Sequence, residues 1–489
     1  MNTEIEPQAV NVGLNHELPP MHRQELYRRY HIETSPAPDI APYPSRFRVK
    51  VKKHRLAQLL LKELIHYRGD MEVVSSRPCV YGVFSGPVGG FAPRERLCVG
   101  CLRCTTQYPD VVQIYHNPER VHLGDSYFKP DRVDTVSYEA QTGRIPVKGA
   151  GYRGKFGGTG WDGMWTDMSE IVRPTRDGIH GREFISTVVD IGEIPMFLSF
   201  DEQNLPVGLT PRMISLPMPI LFDVPPASAT SKTLLSILSQ TARETGTLAI
   251  MPLSVIQKFD LGGRHIVPLV TPDDVNTQTN LDVESPMIEV AAINESFYRE
   301  VCERYPSSIL CLRLPCTPGF DKALIEWVRA GVSVFHVVAD YHGRGGDGKF
   351  VLDLIRKAHD VLVEAGCREK VTLLGSGGIV AAEHVAKAII CGLDAVALDT
   401  PLLVALQAKM VGECFDGEQS QFRIPEINEA WGIQRLKNLM ASWRDQLLEV
   451  MGAMGLREVR RLRGELGRAM FQEDLEREAF GGISGYANS

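Results

Sequence analysis

The sequence lacks the features of membrane-spanning, secreted and nucleic-acid-binding proteins. It has no stretch of about 18 uncharged apolar residues, because the richest run, 388–408, is interrupted by Asp394 and Asp399, so no membrane span is expected. Residues 1–16 are acidic and polar without an apolar core, unlike a secretory signal. The net charge of −7 gives no general attraction to nucleic acid.

Cysteine is also scarce, and two catalytic signatures are missing. Ten cysteines in 489 residues are too few for a disulfide scaffold, which indicates a reducing, cytoplasmic compartment. The glycine-rich run 149–163 has no strand before it and no helix after it, so it is not a dinucleotide fingerprint. No cysteine precedes Cys79, which excludes an amidotransferase nucleophile at a processed N-terminus.

Three of the cysteines have metal-ligand spacing. Cys98, Cys101 and Cys104 are separated by two residues each and are followed by Tyr108-Pro109. The segment resembles half of a bacterial ferredoxin, in which such cysteines hold an iron–sulfur cubane. The fourth ligand would be Cys79, giving a [4Fe-4S] cluster, or three thiolates would hold a [3Fe-4S] cluster. Zinc and unrelated thiols are alternatives, but zinc usually recruits two separated cysteine pairs.

The chain divides into four predicted regions. Residues 1–46 form a Pro-rich extended arm with one short helix at 23–30, and residues 47–180 form an iron–sulfur and linking subdomain that begins with a basic amphipathic helix at 51–67. The basic cluster 46–55 is interpreted as a solvated helix face or a docking edge for a partner subunit. Residues 181–415 form a barrel, and residues 416–489 form a helical extension, with a helix at 430–468 and a disordered tail from 481.

The third region alternates short apolar runs with amphipathic stretches. Such alternation predicts parallel strands covered by helices, and eight repeats favour a closed α/β barrel of the (β/α)8 TIM type. The predicted strands are 220–224, 247–251, 265–270, 287–291, 309–314, 333–338, 371–374 and 395–398. The predicted helices are 231–245, 295–305, 321–330, 350–365, 381–391 and 402–411.

Glycines follow the seventh predicted strand. Gly375, Ser376, Gly377 and Gly378 precede a helix start, so their backbone N–H groups could hold the phosphate of a cofactor; a simple tight turn is the alternative. After the eighth strand, Asp399 and Thr400 could bind the same phosphate or cap the next helix.

These motifs resemble the FMN-binding central domain of glutamate synthases, especially the archaeal-type form in which a ferredoxin-like segment precedes the barrel. Ser376-Gly377-Gly378 stands where that family has Asp-Gly-Gly, and Arg313 stands at its strand-five lysine. Residues 341–346 resemble its strand-six glycine loop. The resemblance implies FMN as a cofactor, with Pro225 and Ala227 of the first strand's loop beside it. It also implies catalytic roles for Arg313, His342 and Arg344.

The implied function is an oxidoreductase subunit that passes electrons from an iron–sulfur cluster to FMN and on to a small-molecule substrate. The family's substrate is the imine of 2-oxoglutarate and ammonia. A reductase or amidotransferase subunit, or a second copy of this chain, would be the partner. However, the family's glycine loop after strand two and its cysteine run after strand eight are absent, and only Cys414 remains. The alternative is therefore a catalytically degenerate barrel that acts as an electron relay or scaffold in a larger redox complex.

Overall fold

A computed structural model describes residues 30–76, 79–146, 158, 160–166, 185–193, 199–207, 212–276, 285–291 and 294–485. Residues 32–489 form one compact unit, and residues 1–31 form another. The helix predicted at 23–30 lies outside the described residues except for Tyr30, which is not helical. Within the described residues, no helix is long and apolar enough to cross a membrane.

Eight parallel strands close into a barrel, which confirms the predicted fold class. The eighth strand pairs with the first through Leu398 and Phe222, and Phe222 pairs with Ala249 of the second. The strands are nearly continuous apolar runs because each is covered on both sides. Their bounds are Ile220–Phe222, Ala249–Pro252, Ile266–Val270, Met287–Ala291, Ile309–Pro315, Val334–Val338, Thr372–Ser376 and Ala395–Leu398.

Helices follow the strands, and side-chain caps fix several of their starts. The Ser231 hydroxyl accepts a hydrogen bond from the Leu234 N–H, and the Asn294 amide oxygen accepts one from the Phe297 N–H. The short helices after the second and third strands were not predicted, because segments of seven and five residues show too little periodicity. The bounds are Lys232–Thr245, Leu253–Phe259, Pro272–Asn276, Glu295–Arg304, Phe320–Arg329, Val351–Glu364, Ala382–Ile390 and Thr400–Ala405.

The N-terminal subdomain contains the predicted basic helix, observed as Lys53–His66. Beside it, strand Phe47–Val51 pairs antiparallel with Val112–His116. The remaining helical segments are short, and one of them contains Cys104. They are Met71–Ser76, Gly89–Phe91, Glu95–Leu97, Arg103–Gln107 and Pro118–His122.

Helix Pro130–Thr142 was missed from the sequence. Its apolar pattern is interrupted by buried charged residues, each of which has a partner. Arg132 pairs with Asp162 and Glu383, and Glu139 accepts a hydrogen bond from the Trp443 indole at 2.8 Å. A periodicity rule that treats charged positions as exposed cannot recognise such a helix.

The helix predicted at 430–468 is wrong in its second half. The observed helix, Glu429–Met454, ends where Gly455 adopts a φ of +73°, and the arginines beyond it lie in short 3-10 helices and the turns between them. Arg463 pairs with Asp394 at 2.8 Å and with Glu369 at 2.7 Å. Similarly, the helix predicted at 402–411 ends at Ala405, because Gln407 has a φ of +59°. The described part of the predicted disordered tail, 481–485, is exposed and lies outside helices and strands.

Residues 32–46 of the predicted arm are neither helix nor strand. They pack on the chain's own helix Glu429–Met454. The Pro38 carbonyl accepts a hydrogen bond from the Trp431 indole at 2.8 Å, and the Asp39 carboxylate pairs with the fully buried Arg435 at 2.9 Å. Residues near Asp39 therefore belong to the chain's own packing.

The other described elements are short. The antiparallel pairs are Lys409–Val411 with Gln421–Arg423, Met164–Thr166 with Ala469–Phe471, Val189–Gly192 with Met213–Leu216, and Ser199–Phe200 with Pro206–Val207. The helical ones are Gly160–Gly163, Ala227–Ala229, Arg368–Lys370, Val459–Leu462, Leu466–Arg468 and Gln472–Phe480.

Candidate functional site

A cavity of about 660 Å³ opens at the carboxyl ends of the barrel strands. This is the end of a (β/α)8 barrel at which active sites form, and the volume is within the usual range for small-molecule sites. Several residues singled out from the sequence line it: Pro225, Ala227, Arg313, Ser376 and Asp399. The structure thus brings together residues from the first, fifth, seventh and eighth strands or their following loops.

Arg313 projects from the fifth strand into a buried cluster of charges. Its guanidinium donates to both carboxylate oxygens of Asp223, at 2.8 and 3.1 Å, and to Glu289 Oε1 at 2.7 Å. His336 Nδ1 lies 3.1 Å from the same Glu289 oxygen. Asp223 directly follows the first strand and Glu289 lies in the fourth, so the two carboxylates bind the guanidinium from different parts of the barrel. Its position at the cavity wall is therefore fixed before any ligand binds.

The electrostatics of this cluster follow from burial and close pairing. Burial alone would raise the pKa of Asp223, but the adjacent Arg313 and His336 lower it to about 2. The pKa of Glu289 is lowered for the same reasons, and the two carboxylates raise the pKa of Arg313. The ion pairs therefore persist across the physiological pH range.

Three buried polar atoms on these strands have no hydrogen-bond partner among the described residues. They are Glu289 Oε2, His336 Nε2 and Ser376 Oγ. An unpaired buried polar atom costs about 1–3 kcal/mol, so each is a candidate contact for a bound molecule. Ser376 lines the cavity directly.

Asp399 gives the cavity a carboxyl group that titrates near neutral pH. Burial and the nearby negative charge of Asp223 raise its pKa to about 7. The same carboxylate accepts hydrogen bonds from the N–H and hydroxyl of Thr400, so it caps the following helix. Helix capping was one of the two roles that the sequence suggested for Asp399.

The glycines after the seventh strand pack against the loop after the sixth. A Cβ atom on Gly377 would lie 2.5 Å from the carbonyl oxygens of Ala339 and Asp340, and one on Gly378 would lie 2.5 Å from the Gly343 Cα. The Gly378 carbonyl accepts hydrogen bonds from the Tyr127 hydroxyl and the Trp161 indole. Close packing thus explains the need for glycine here, and phosphate binding by this turn stays a prediction.

His342 and Arg344 lie away from the lining of the barrel cavity. His342 Nε2 is 2.9 Å from Asp125 Oδ2 and 3.9 Å from Glu413 Oε2, and its ring stacks on Tyr127. Burial lowers the pKa of His342, but the hydrogen bond to Asp125 outweighs it and the net shift is upward.

These three groups are close enough to hold a metal ion, with ligand atoms within 4.8 Å of one another. The carboxylates already accept hydrogen bonds, however, because Cys414 N–H donates to Asp125 and the Ser126 hydroxyl donates to Glu413. These contacts therefore join the linking subdomain, which carries Asp125 and Ser126, to the two barrel loops that carry His342 and Glu413. Arg344 lines a separate cavity of about 480 Å³, where its guanidinium lies over the Phe350 ring.

The four candidate metal-binding cysteines gather in the N-terminal subdomain. Cys98 and Cys104 are buried, Cys79 is half-buried and packs against the same apolar cluster, and Cys101 is exposed. Within the described residues, no three of their Sγ atoms lie within 4.8 Å of one another.

Sequence reasoning missed Asp223, Glu289 and His336. Each lies in or directly after a barrel strand whose other residues are apolar. A lone charged or imidazole side chain in such a strand is costly to bury unless it is paired. The presence of such a residue in an apolar strand was therefore the sequence signal that could have indicated a site residue. The pairing itself depends on the barrel's closure, which brings distant strands into contact.

Comparison with known proteins identifies sequence relatives. Residues 348–457 match a family model described as a conserved region in glutamate synthase. An archaeal-type glutamate synthase [NADPH] from Dehalococcoides mccartyi is 22% identical over 76% of this chain and 86% of its own length. An archaeal glutamate synthase [NADPH] from Archaeoglobus fulgidus is 22% identical over 79% of this chain and 89% of its own.

Among solved structures, a mandelate oxidase variant with an FMN adduct has a TM-score of 0.38 and 15% identity. The match covers 57% of this chain and 87% of that one.

Proposed function

We propose that this chain, a divergent member of the glutamate synthase family, is an FMN-dependent oxidoreductase whose substrate site is the cavity at the carboxyl end of the barrel. The observation that carries the proposal is the position of Arg313, whose guanidinium is fixed at the cavity wall by Asp223 and Glu289. A preorganised N–H donor beside a flavin stabilises negative charge that develops on its reduced form.

The residues around the cavity fit a flavin. The volume of about 660 Å³ suits a cofactor ring, and Pro225 and Ala227 supply an apolar wall. The unpartnered hydroxyl of Ser376 is available to donate a hydrogen bond to a phosphate or a ring oxygen. FMN, when bound, supplies hydride transfer and the exchange of single electrons.

The residues of this chain have three tasks in such a site. Arg313 would hold negative charge at the cofactor or at a substrate carboxylate, and Asp223 and Glu289 would keep its guanidinium in place. Asp399, with its pKa near 7, could donate or accept a proton at the cavity wall. The buried strands beneath exclude water from the floor of the cavity.

The four cysteines would hold an iron–sulfur cluster that delivers electrons one at a time. Their gathering in one subdomain and the two-residue spacing of Cys98, Cys101 and Cys104 support this assignment. Cys79, which packs against the same apolar cluster as Cys98 and Cys104, would be the fourth ligand of a [4Fe-4S] cluster.

The substrate would be the imine formed from 2-oxoglutarate and ammonia, giving glutamate, as the names of the relatives suggest. The alternative, an electron relay or scaffold, is favoured by the acids that accompany Arg313 and Lys258 in the lining, including Asp340, Asp416 and Glu418. Such a rim repels a dicarboxylate.

A turnover experiment separates the two functions. The purified chain, reduced by methyl viologen under anaerobic conditions, is given 2-oxoglutarate and ammonium, and glutamate is measured. We expect glutamate from the wild-type protein and at least a hundredfold less from Arg313→Gln at equal flavin content. A flavin-loaded wild-type protein that makes no glutamate would support the relay.

A further inference from the structure

We propose that the face around the cysteine motif is the docking site for an acidic protein that carries single electrons. This inference rests on the proposed function, because it assigns the electron donor for the proposed cluster. Residues 46–110, which contain all four candidate ligands, carry twelve Lys and Arg but five Asp and Glu, a net charge of +7. The whole chain carries −7, so the rest of it is strongly acidic.

The fold increases the exposed positive charge of this segment, because acidic side chains in it are hydrogen-bonded within the subdomain. Glu63 is buried and accepts a hydrogen bond from the Tyr108 hydroxyl at 2.9 Å, and Glu95 accepts one from the Val49 N–H at 2.7 Å. Arg94 and Arg96, on either side of Glu95, are exposed and form no ion pair with any described residue. Arg46 and Arg48 pair with Asp131 and Glu119, so Arg94 and Arg96 supply the exposed positive charge that has no paired carboxylate among the described residues.

Exposed apolar side chains lie among these arginines. Val80, Leu97 and Leu102 are 69%, 40% and 52% exposed, and each is next to one of the candidate ligands or one residue from it. Leu97 also packs near Gly82, which joins the segments around Cys79 and Cys98 into one face. Apolar residues surrounded by arginine are typical of protein–protein interfaces.

The position of Cys101 indicates what the partner does. It is exposed, whereas Cys98 and Cys104 are buried, so a cluster on these thiolates would come nearest to the solvent at this face. Electron-transfer complexes are small and transient, and complementary charge speeds their encounter. A donor with an acidic surface fits the charge, and its redox group would approach the cluster at Cys101.

Binding can be measured without relying on electron transfer. The probe is an oxidised, acidic [2Fe-2S] ferredoxin titrated calorimetrically into the full chain. We expect Arg94→Glu/Arg96→Glu to raise the dissociation constant at least tenfold. The matched control, Lys322→Glu/Arg329→Glu on the exposed side of barrel helix Phe320–Arg329, changes the net charge equally and should change binding less than twofold.

A second measurement follows reduction of the protein. Reduced ferredoxin should reduce the double-arginine variant at least tenfold more slowly than wild type, whereas reduced methyl viologen, which needs no docking face, should reduce both at the same rate. Raising the salt concentration should slow only the ferredoxin reaction.

Distinct results overturn the docking face and the proposed function. Equal ferredoxin binding by wild type and the arginine variant, or no binding by wild type, overturns the docking face. Binding of single-stranded RNA that depends on the same arginines, without ferredoxin binding, assigns the face to nucleic acid and also overturns it. A protein that methyl viologen cannot reduce at all contradicts the proposed function, while the calorimetric result still decides the docking face.

Discussion

The Asp223 carboxylate receives both hydrogen bonds that the Arg313 guanidinium directs toward the first strand, at 2.8 and 3.1 Å. The pair joins the first and fifth strands of the barrel at the wall of its cavity. Asp223→Asn should therefore leave Arg313 with the single remaining carboxylate of Glu289. Loss of a partner from a buried ion pair costs about 3–5 kcal/mol.

We expect Asp223→Asn to lower the free energy of unfolding by about that amount and to weaken flavin binding at least tenfold. Chemical denaturation and flavin titration of the same preparation measure both effects. The control is Asp110→Asn, an exposed aspartate in the N-terminal subdomain. Unchanged flavin binding in a folded Asp223→Asn protein would contradict the role of the pair in placing Arg313.

The pKa of Asp399 predicts a pH dependence of stability. Its pKa is about 7 in the folded protein and about 3.9 in an unfolded chain, so the folded state binds more protons between those values. The free energy of unfolding should consequently fall as the pH rises from 4 to 7, by up to about 4 kcal/mol from this group.

Asp399→Asn should abolish this part of the slope, because its side chain stays neutral while its amide oxygen can still cap Thr400. Denaturation of both proteins at pH 5, 6, 7 and 8 provides the comparison. Parallel pH profiles for the two proteins would show that Asp399 does not titrate in this range.

Gly377 provides a test that needs no cofactor. An alanine there would combine a φ of +93° with a Cβ 2.5 Å from two carbonyl oxygens. Gly348 has a φ of +77°, but a Cβ added to it would have no other atom within 4 Å, so Gly348→Ala isolates the backbone strain. We expect Gly377→Ala to lower the free energy of unfolding by at least about 2 kcal/mol more than Gly348→Ala does, which is within the range found for overpacked sites.

This test is made on flavin-free protein by thermal or chemical unfolding. An equal loss of unfolding free energy in the two alanine variants would mean that the turn can relax around a Cβ atom. Close packing would then not explain the glycines, and ligand binding would be their remaining role. Gly377→Asp is unsuitable as a test of phosphate binding, because its side chain would clash with the protein before it met a phosphate.

The cysteine cluster predicts a pattern of metal loss. Replacing Cys79, Cys98, Cys101 or Cys104 by serine should lower iron and acid-labile sulfide, because a hydroxyl is a poorer ligand for this iron than a thiolate. Cys367→Ser, at a half-buried cysteine next to a barrel helix, should leave both unchanged. Zinc without sulfide in the wild-type protein would contradict the assignment, and an intact three-iron cluster in Cys79→Ser would remove Cys79 from the ligand set.

The sequence was sufficient for the barrel because each strand is locally apolar and each long helix has a clear period, as in Thr372–Ser376 and Lys232–Thr245. It was not sufficient for helix Pro130–Thr142, whose buried charges are paired by distant parts of the chain. The candidate site divides in the same way. Arg313 stood out in its strand, but its partners are brought to it by the closure of the barrel.

The arm illustrates the same limit. Its proline content predicted an extended segment, but nothing local indicated that Asp39 would meet Arg435, 396 residues away. Removing residues 30–46 would therefore leave the buried guanidinium of Arg435 without its carboxylate.

The central claim is that one chain binds both a flavin and an iron–sulfur cluster, and a visible spectrum with cofactor analysis tests it most directly. The protein is produced with added riboflavin and iron and is purified without oxygen. We predict about one FMN released per chain on denaturation, iron with matching acid-labile sulfide, and a broad visible absorption that bleaches on reduction. A colourless protein that contains neither flavin nor sulfide would contradict the account.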